Sequence, residues 1–359
     1  MDYKVEDCVK KSIYTDLLSI AKSVPDDGKL KNSTVLITGA GGFIGFYLCA
    51  SLLLRNDLYS DGIKVIALVR NQKKAEQKYG DLLMRSDIEL CVQDVAEKIL
   101  VSPADYVIHA ASQASNIQFE TDPVGTFNAN VAGTASVLNY AKESKSKSTL
   151  IVSSLKVYGA IYGAAQKITE DDIGYLDIAS YKNCYAMGKR SAETLSASYY
   201  REFGLHVKIA RPAYIYGAAS LDDDRVWAQF IANVVRHEDI LLKSDGAALR
   251  SFCYVTDTAS ALLHILLYGE DITPYNISNE KSDVTIRDFA KTACRVFPDR
   301  NISLRFANPE HEKEPDRSAT PLTTVPEVLD NTRLKQIGWL PKVDLAEGIR
   351  RAVTVLEEQ

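Results

Sequence analysis

The stretch Val35-Leu36-Ile37-Thr38-Gly39-Ala40-Gly41-Gly42-Phe43-Ile44-Gly45 decides the fold. Its first four residues read as a buried strand, and residues 46–55, after the glycines, read as a helix. Strand, glycine turn and helix in that order are the context in which a glycine fingerprint binds a dinucleotide. Gly39 permits the tight turn, Gly42 lets the backbone approach a pyrophosphate, and Gly45 lets helix and strand pack closely. With Phe43 and Ile44 these residues open a helix whose N-terminus faces the anion. A glycine turn without a ligand is the alternative.

Working outward, apolar runs at 64–69, 88–92, 106–112, 150–153 and 207–210 read as further strands. They alternate with helical stretches, the longest being 123–141 and the run after Tyr181. This spacing predicts an α/β fold, a Rossmann-type doubly wound parallel sheet with ligands at the carboxyl ends of its strands. After the second strand, a dinucleotide fold commonly has an acid for the ribose hydroxyls, whereas a basic residue accommodates a 2′-phosphate. Arg70 stands there and tilts the cofactor from NAD towards NADP; a solvated basic loop is the other reading. Asp94 and Val95 follow the third strand, placed to bond an adenine amine and pack on its face. The small residues Ala110, Ala111 and Ser112 let a cofactor lie across the strand ends, and His109 reads as a satisfied core histidine.

Beyond residue 212 the alternation loosens into a smaller mixed α/β C-terminal substrate domain. The division expected is a helical extension at 1–30, a dinucleotide domain at 31–212 with 252–278 returning to it, and a substrate domain at 213–251 and 279–359. In the extension, Val5, Val9, Ile13, Leu17, Leu18 and Ala21 recur at helical spacing, which predicts an amphipathic helix packed on the main domain or on a second subunit.

Tyr185 and Lys189 are the candidate centre of chemistry, because four-residue spacing puts phenol and ammonium on one helix face. Lowering a tyrosine pKa of about 10 by three to four units takes roughly 4 to 5.5 kcal/mol. A unit charge about 4 Å away supplies on the order of 4 kcal/mol at an effective dielectric near 20. With a second cation such as an oxidised nicotinamide, Lys189 makes Tyr185 a working base.

The chain of 359 residues is 46% apolar, enough for a large core, and its net charge of −5 argues against nucleic-acid or anionic-membrane partners. No apolar run reaches the ~18 residues of a spanning helix, and residues 1–31 lack a signal-peptide core, so the expectation is a cytoplasmic protein. Six scattered cysteines without Cys-x-x-Cys spacing indicate neither a metal site nor a redox pair.

Taken together, 38–45, Asp94-Val95, His109-Ala110-Ala111-Ser112, Ser153-Ser154 with Val157-Tyr158-Gly159, Tyr185 with Lys189, Arg211-Pro212, 250–255 and Ile337-Gly338-Trp339 resemble the extended short-chain dehydrogenase/reductase superfamily. The branch is the one that modifies nucleoside-diphosphate sugars. Residues 122–138 and 183–195 look most like its UDP-glucuronate decarboxylase group. The resemblance implies that Tyr185 exchanges a proton with a sugar hydroxyl while hydride passes between a sugar carbon, usually C4, and the nicotinamide. Ser154 would bond the same oxygen, and Lys189 would hold the nicotinamide ribose and lower the Tyr185 pKa. Asn130 and Pro212 join the expected cofactor residues, and Ser112, Lys156, Tyr214 and Arg225 the substrate residues. Arg250 and Arg317 match arginines that grip the diphosphate, a task suited to a planar fork of donors.

Three positions depart from the pattern. Lys156 stands where dehydratases and decarboxylases usually carry an acid, though some similar CDP-sugar enzymes have lysine. Tyr214 replaces an asparagine, and Arg70 replaces the ribose-binding acid. The first functional reading is an epimerase working by transient oxidation. The alternatives are an NADPH-dependent 4-keto-sugar reductase, a UDP-glucuronate decarboxylase or 4,6-dehydratase, and a dinucleotide-binding sensor. A homodimer through the helices at 123–141 and 181–200 is also implied.

Overall fold

The computed structural model describes residues 3–161, 167–312 and 327–358. Two short helices, α1 (Val5–Cys8) and α2 (Lys11–Ser23), precede β1 (Thr34–Thr38) and α3 (Phe43–Tyr59). Then come β2 (Lys64–Val69), α4 (Gln72–Tyr79), β3 (Ile88–Val92), β4 (Tyr106–His109), α5 (Asn116–Thr121), α6 (Pro123–Ser144), β5 (Ser148–Val152), α7 (Cys184–Phe203) and β6 (Val207–Pro212). The remainder runs β7 (Tyr214–Tyr216), α8 (Val226–Arg236), β8 (Ile240–Leu242), β9 (Leu249–Tyr254), α9 (Val255–Tyr268), β10 (Pro274–Ile277), β11 (Asp283–Thr285), α10 (Ile286–Val296), β12 (Leu304–Phe306), α11 (Thr332–Gln336) and α12 (Leu345–Glu357).

The main sheet has seven strands in the order β3-β2-β1-β4-β5-β6-β10, all parallel. Its inner strands β1, β4 and β5 are buried on both faces because helices cover both, as a parallel sheet requires, while the edge strand β3 is partly exposed. Thr38 pairs with both Leu68 and His109, so β1, β2 and β4 end level. The chain runs outward from β1 through β2 to β3, then crosses back to β4 on the other side of β1. That reversal opens a crevice at the carboxyl ends of β1 and β4, where ligands of doubly wound sheets bind.

Two small sheets, β11-β9-β7 and β12-β8, carry the C-terminal half. Residues 252–254, assigned from sequence to the returning segment, lie in β9 and pair with β7 in the small sheet; it is β10 that rejoins the large one. Helix α3 begins at Phe43, inside the glycine turn, and β4 stops at His109, leaving Ala110 to Ser112 as coil above the strand end.

The extension packs on the main body: Val5, Leu17, Ile20 and Ala21 are buried in the principal core. Arg55 of α3 is buried as well; its Nε meets Asp61 at 2.8 Å and its Nη1 donates to the carbonyls of Ala21 and Val24 at 2.9 Å each. The guanidinium thus satisfies carbonyls at the end of α2 that have no partner within their own helix. Among the described residues, no helix is long and apolar enough to cross a membrane.

Candidate active site

A cleft of about 650 Å³ opens at the carboxyl ends of the strands. One wall is the glycine turn, where Gly39, Gly42, Phe43, Ile44 and Gly45 line the space together with Ala110 and Ser112. Gly39 has φ +70°, and a Cβ there would stand 2.7 Å from the Ala111 backbone. A Cβ on Gly45 would stand 2.3 Å from the Gly39 carbonyl oxygen, so the first turn of α3 closes on β1 only without a side chain. Bare backbone at a helix N-terminus above level strand ends is a cradle that fits a dinucleotide pyrophosphate.

Other residues expected at the cofactor stand further back. Ala111 faces the turn, donating its N–H to Thr38 Oγ1 at 3.3 Å. Asn130 is buried in α6 and accepts from Ser112 Oγ at 2.9 Å, so it orients a cleft residue. Arg70 is exposed just past β2, and Asp94 accepts from the Ala96 N–H at 2.9 Å; neither lines the cleft, nor does the buried Val95. His109 lies 2.8 Å from Thr38 Oγ1, and burial lowers its pKa to about 3, which makes it a neutral core residue. Lys78 of α4, unmarked in the sequence reading, donates to the Gly42 carbonyl at 2.7 Å.

The opposite wall carries Ser154, Tyr185, Lys189 and Pro212. Ser154 leaves β5 and starts a short turn by accepting from the Lys156 N–H at 3.2 Å. Glu193, one helical turn beyond Lys189, ties this wall together: it accepts from Ser153 Oγ at 2.5 Å and pairs with Arg211 of β6 at 2.7 Å. The ends of β5, β6 and α7 are therefore held in one network. Tyr185 stacks on Phe119 of α5, ring centroids 4.9 Å apart. Phe119 is a site residue that sequence reasoning missed, since a lone phenylalanine in a short polar helix carries no signal.

Lys189 is buried, with its Nζ donating to the Val152 carbonyl at 2.7 Å and lying 5.7 Å from the Tyr185 ring centre. Burial lowers its pKa to about 8. The Tyr185 phenol sits above its ordinary value: burial raises it, and a hydrogen bond from Ser154 and the charge of Lys156 pull it down less. In the protein without cofactor, burial outweighs the pull of Ser154 and Lys156 on this phenol, while the Lys189 ammonium donates to a carbonyl and lies over the ring.

The sugar-side wall is a charged cluster. Lys156 Nζ donates to Tyr214 Oη at 2.9 Å and to Glu327 Oε1 at 2.8 Å. Tyr214 donates to Glu327 Oε2 at 2.5 Å, and Arg250 Nε reaches the same oxygen at 2.9 Å. Arg225 stacks over Trp227 at 4.6 Å while its fork grips Asp223 at 2.8 and 2.6 Å. Ser112, Ser154, Lys156, Tyr214, Arg225 and Arg250 all line the cleft, and Arg317 lies outside the described residues. Glu327 was not foreseen. It stands in an aperiodic stretch and comes in through a parallel bridge to Arg250.

A sheet of this order with a glycine cradle facing a serine, a tyrosine and a lysine defines a dinucleotide-dependent oxidoreductase-type enzyme. Residues 35–278 match the NAD dependent epimerase/dehydratase family, and the chain belongs to that family. It is 32% identical over 328 residues to UDP-glucuronic acid decarboxylase 2 of Arabidopsis thaliana, covering 91% of this chain and 68% of that protein. It is 31% identical over 344 residues to UDP-glucuronic acid decarboxylase 5 of the same plant, covering 93% and 94%. The fold matches a UDP-glucose 4-epimerase from Thermotoga maritima with a TM-score of 0.72 at 23% identity, covering 90% of this chain and 99% of that one.

Proposed function

We propose that the protein is an NAD(P)-dependent nucleotide-sugar epimerase that works by transient oxidation at a sugar carbon, C4 being the expected one. The observation that carries this reading is the convergence of Ser154, Tyr185 and Lys189 on one wall of the cleft, opposite the glycine turn. A dinucleotide held by Gly39, Gly42 and Gly45 would supply reversible hydride acceptance at the sugar carbon. Tyr185 accepts the proton of the sugar hydroxyl as the carbonyl forms and gives it back afterwards. Ser154 holds the same oxygen, and the charge of Lys156 stabilises the phenolate. Lys189 would bind the nicotinamide ribose, and Arg250 would hold the diphosphate, both from the cleft lining. Where relatives that eliminate or decarboxylate carry an acid, this chain presents an ammonium, which favours simple return of hydride over elimination.

Purified protein incubated with UDP-, CDP-, dTDP- and GDP-sugars and followed by NMR tests the reading. Inversion at one carbon with no net change in nicotinamide absorbance is expected. Stoichiometric consumption of NADPH would instead support the reductase, which Arg70 favours. Likeness to the plant decarboxylases supports UDP-glucuronate decarboxylation as the second reading, and release of carbon dioxide from that compound decides it.

The reading extends to a cytoplasmic homodimer. Free cysteines suit a reducing compartment. Exposed Val124 and Phe127 on α6, with Tyr200 and Phe203 on α7, supply apolar surface for a helical interface. Sedimentation at the mass of a single chain would contradict the dimer.

A further inference from the structure

We propose that Glu327 is a specificity-determining residue that turns the sugar end of the cleft against hexuronates, so that the substrate is a nucleotide-linked neutral sugar; this rests on the nucleotide-sugar reading above. Charge balance in the cleft points this way. Among the described residues, the cations lining the cleft are Lys156, Lys189, Arg225 and Arg250. Three carboxylates face them: Asp223 and Asp224 in the lining, and Glu327 directly behind Lys156 and Arg250. Against these described residues alone, a diphosphate, which is a dianion, exceeds the net positive charge.

Lys156 is the group best placed to meet a substituent near the reacting carbon, since it follows Ser154 by two residues and its charge reaches Tyr185. Glu327 already holds that ammonium at 2.8 Å, and the Tyr214 hydroxyl closes the triangle. Burial lowers the Lys156 pKa, but Tyr214 and Glu327 outweigh it and leave the group raised. Burial raises the Glu327 pKa, but Lys156 and Arg250 outweigh it and leave the group lowered. Both partners are thus charged at neutral pH. A sugar carboxylate arriving here would share one ammonium with a second carboxylate, a like-charge contact of the kind that rejects wrong ligands. An uncharged hydroxymethyl or methyl group meets no such opposition. Glycosyl carboxylates are what the similar plant decarboxylases are named for, so the inference separates this chain from them in substrate.

The test is calorimetric titration of the NAD-loaded full chain with matched hexose and hexuronate pairs on UDP, CDP, dTDP and GDP, which differ in an alcohol or a carboxylate at C6. The neutral member is expected to bind about tenfold or more tightly, a difference of the size one misplaced charge contact produces. Glu327→Gln is expected to narrow or invert that ratio. Glu327→Asp, which keeps the charge, is expected to retain the native preference. Glu327 also touches Arg250, but an effect through the diphosphate changes both members equally and cancels in the ratio. A native ratio near one, a ratio unmoved in Glu327→Gln, or a Glu327→Asp protein that behaves like Glu327→Gln overturns the inference and leaves the nucleotide-sugar reading standing. Absence of binding by every pair overturns both.

Discussion

Tyr185 stands under opposing influences. The cleft wall and the Phe119 ring shield its phenol from water, which favours the neutral form, while Ser154 and Lys156 favour the phenolate. From the protein's groups alone burial prevails, so the side chain by itself is a proton donor and becomes an acceptor only under further positive charge. Ultraviolet titration of cofactor-stripped protein against Tyr185→Phe is expected to show this phenol ionising above its ordinary value. A value at or below about 10 would mean that Lys156 and Ser154 outweigh burial. In turnover, Tyr185→Phe is expected to lose about 10²- to 10⁴-fold in kcat, the range of a positioned acid–base group, while dinucleotide affinity measured by fluorescence changes little.

Helix α7 is the element that makes the site, and its seating depends on a missing side chain. A Cβ on Gly188 would stand 2.9 Å from the Asn130 Cβ, so α6 and α7 approach each other only because this residue is glycine. Gly188→Val is expected to cost about 1–3 kcal/mol as an overpacked contact. It should also lower kcat by displacing Tyr185 and Lys189, measurable as a fall in urea midpoint together with slowed turnover. Helix α3 shows the complementary dependence on charge. Removing the Arg55 guanidinium leaves Asp61 buried without its partner and frees the carbonyls at the end of α2, so Arg55→Ala is expected to cost about 3–5 kcal/mol in urea unfolding. How much of this was legible in the sequence follows from range. The β1 turn, Ser154 at the end of β5, and the Tyr185–Lys189 spacing are local patterns of composition and period. Glu327 meets Lys156 across 171 positions, and no periodicity reports a contact of that separation. Arg55 sat in a helix whose apolar run hid its role, and Arg70 was correctly placed after β2 but shows no cleft contact that its position alone implied.

At the scale of the molecule, N-terminal, central and C-terminal segments meet at one buried carboxylate. Asp16 of α2 accepts from Tyr254 Oη of β9 at 2.7 Å and lies 3.4 Å from Arg351 of α12. Burial raises its pKa to about 6, against the weaker pull of Tyr254 and Arg351 in the other direction. A raised carboxyl pKa means that the folded state binds the proton more tightly than the unfolded chain, whose carboxyl titrates near 4. Between those values the folded state holds more protons, so stability from this group rises as pH falls from about 7 to 4 and is lost on the way back up. At full linkage, a carboxyl raised from about 4 to about 6 contributes roughly 3 kcal/mol. Asp16→Asn removes this titrating carboxyl and retains an oxygen able to accept from Tyr254. The stability of the native protein relative to Asp16→Asn is therefore expected to increase by up to about 3 kcal/mol between pH 7 and pH 4, read from urea midpoints of the two proteins at matched pH. Using the difference between proteins removes the carboxylates whose pKa is lowered by ion pairs, such as Asp87 beside Arg85, which weaken the fold in acid in both. A difference that shrinks on acidification would show that the Arg351 pair outweighs burial and that the junction is held by charge, not by hydrogen bonding to a neutral acid.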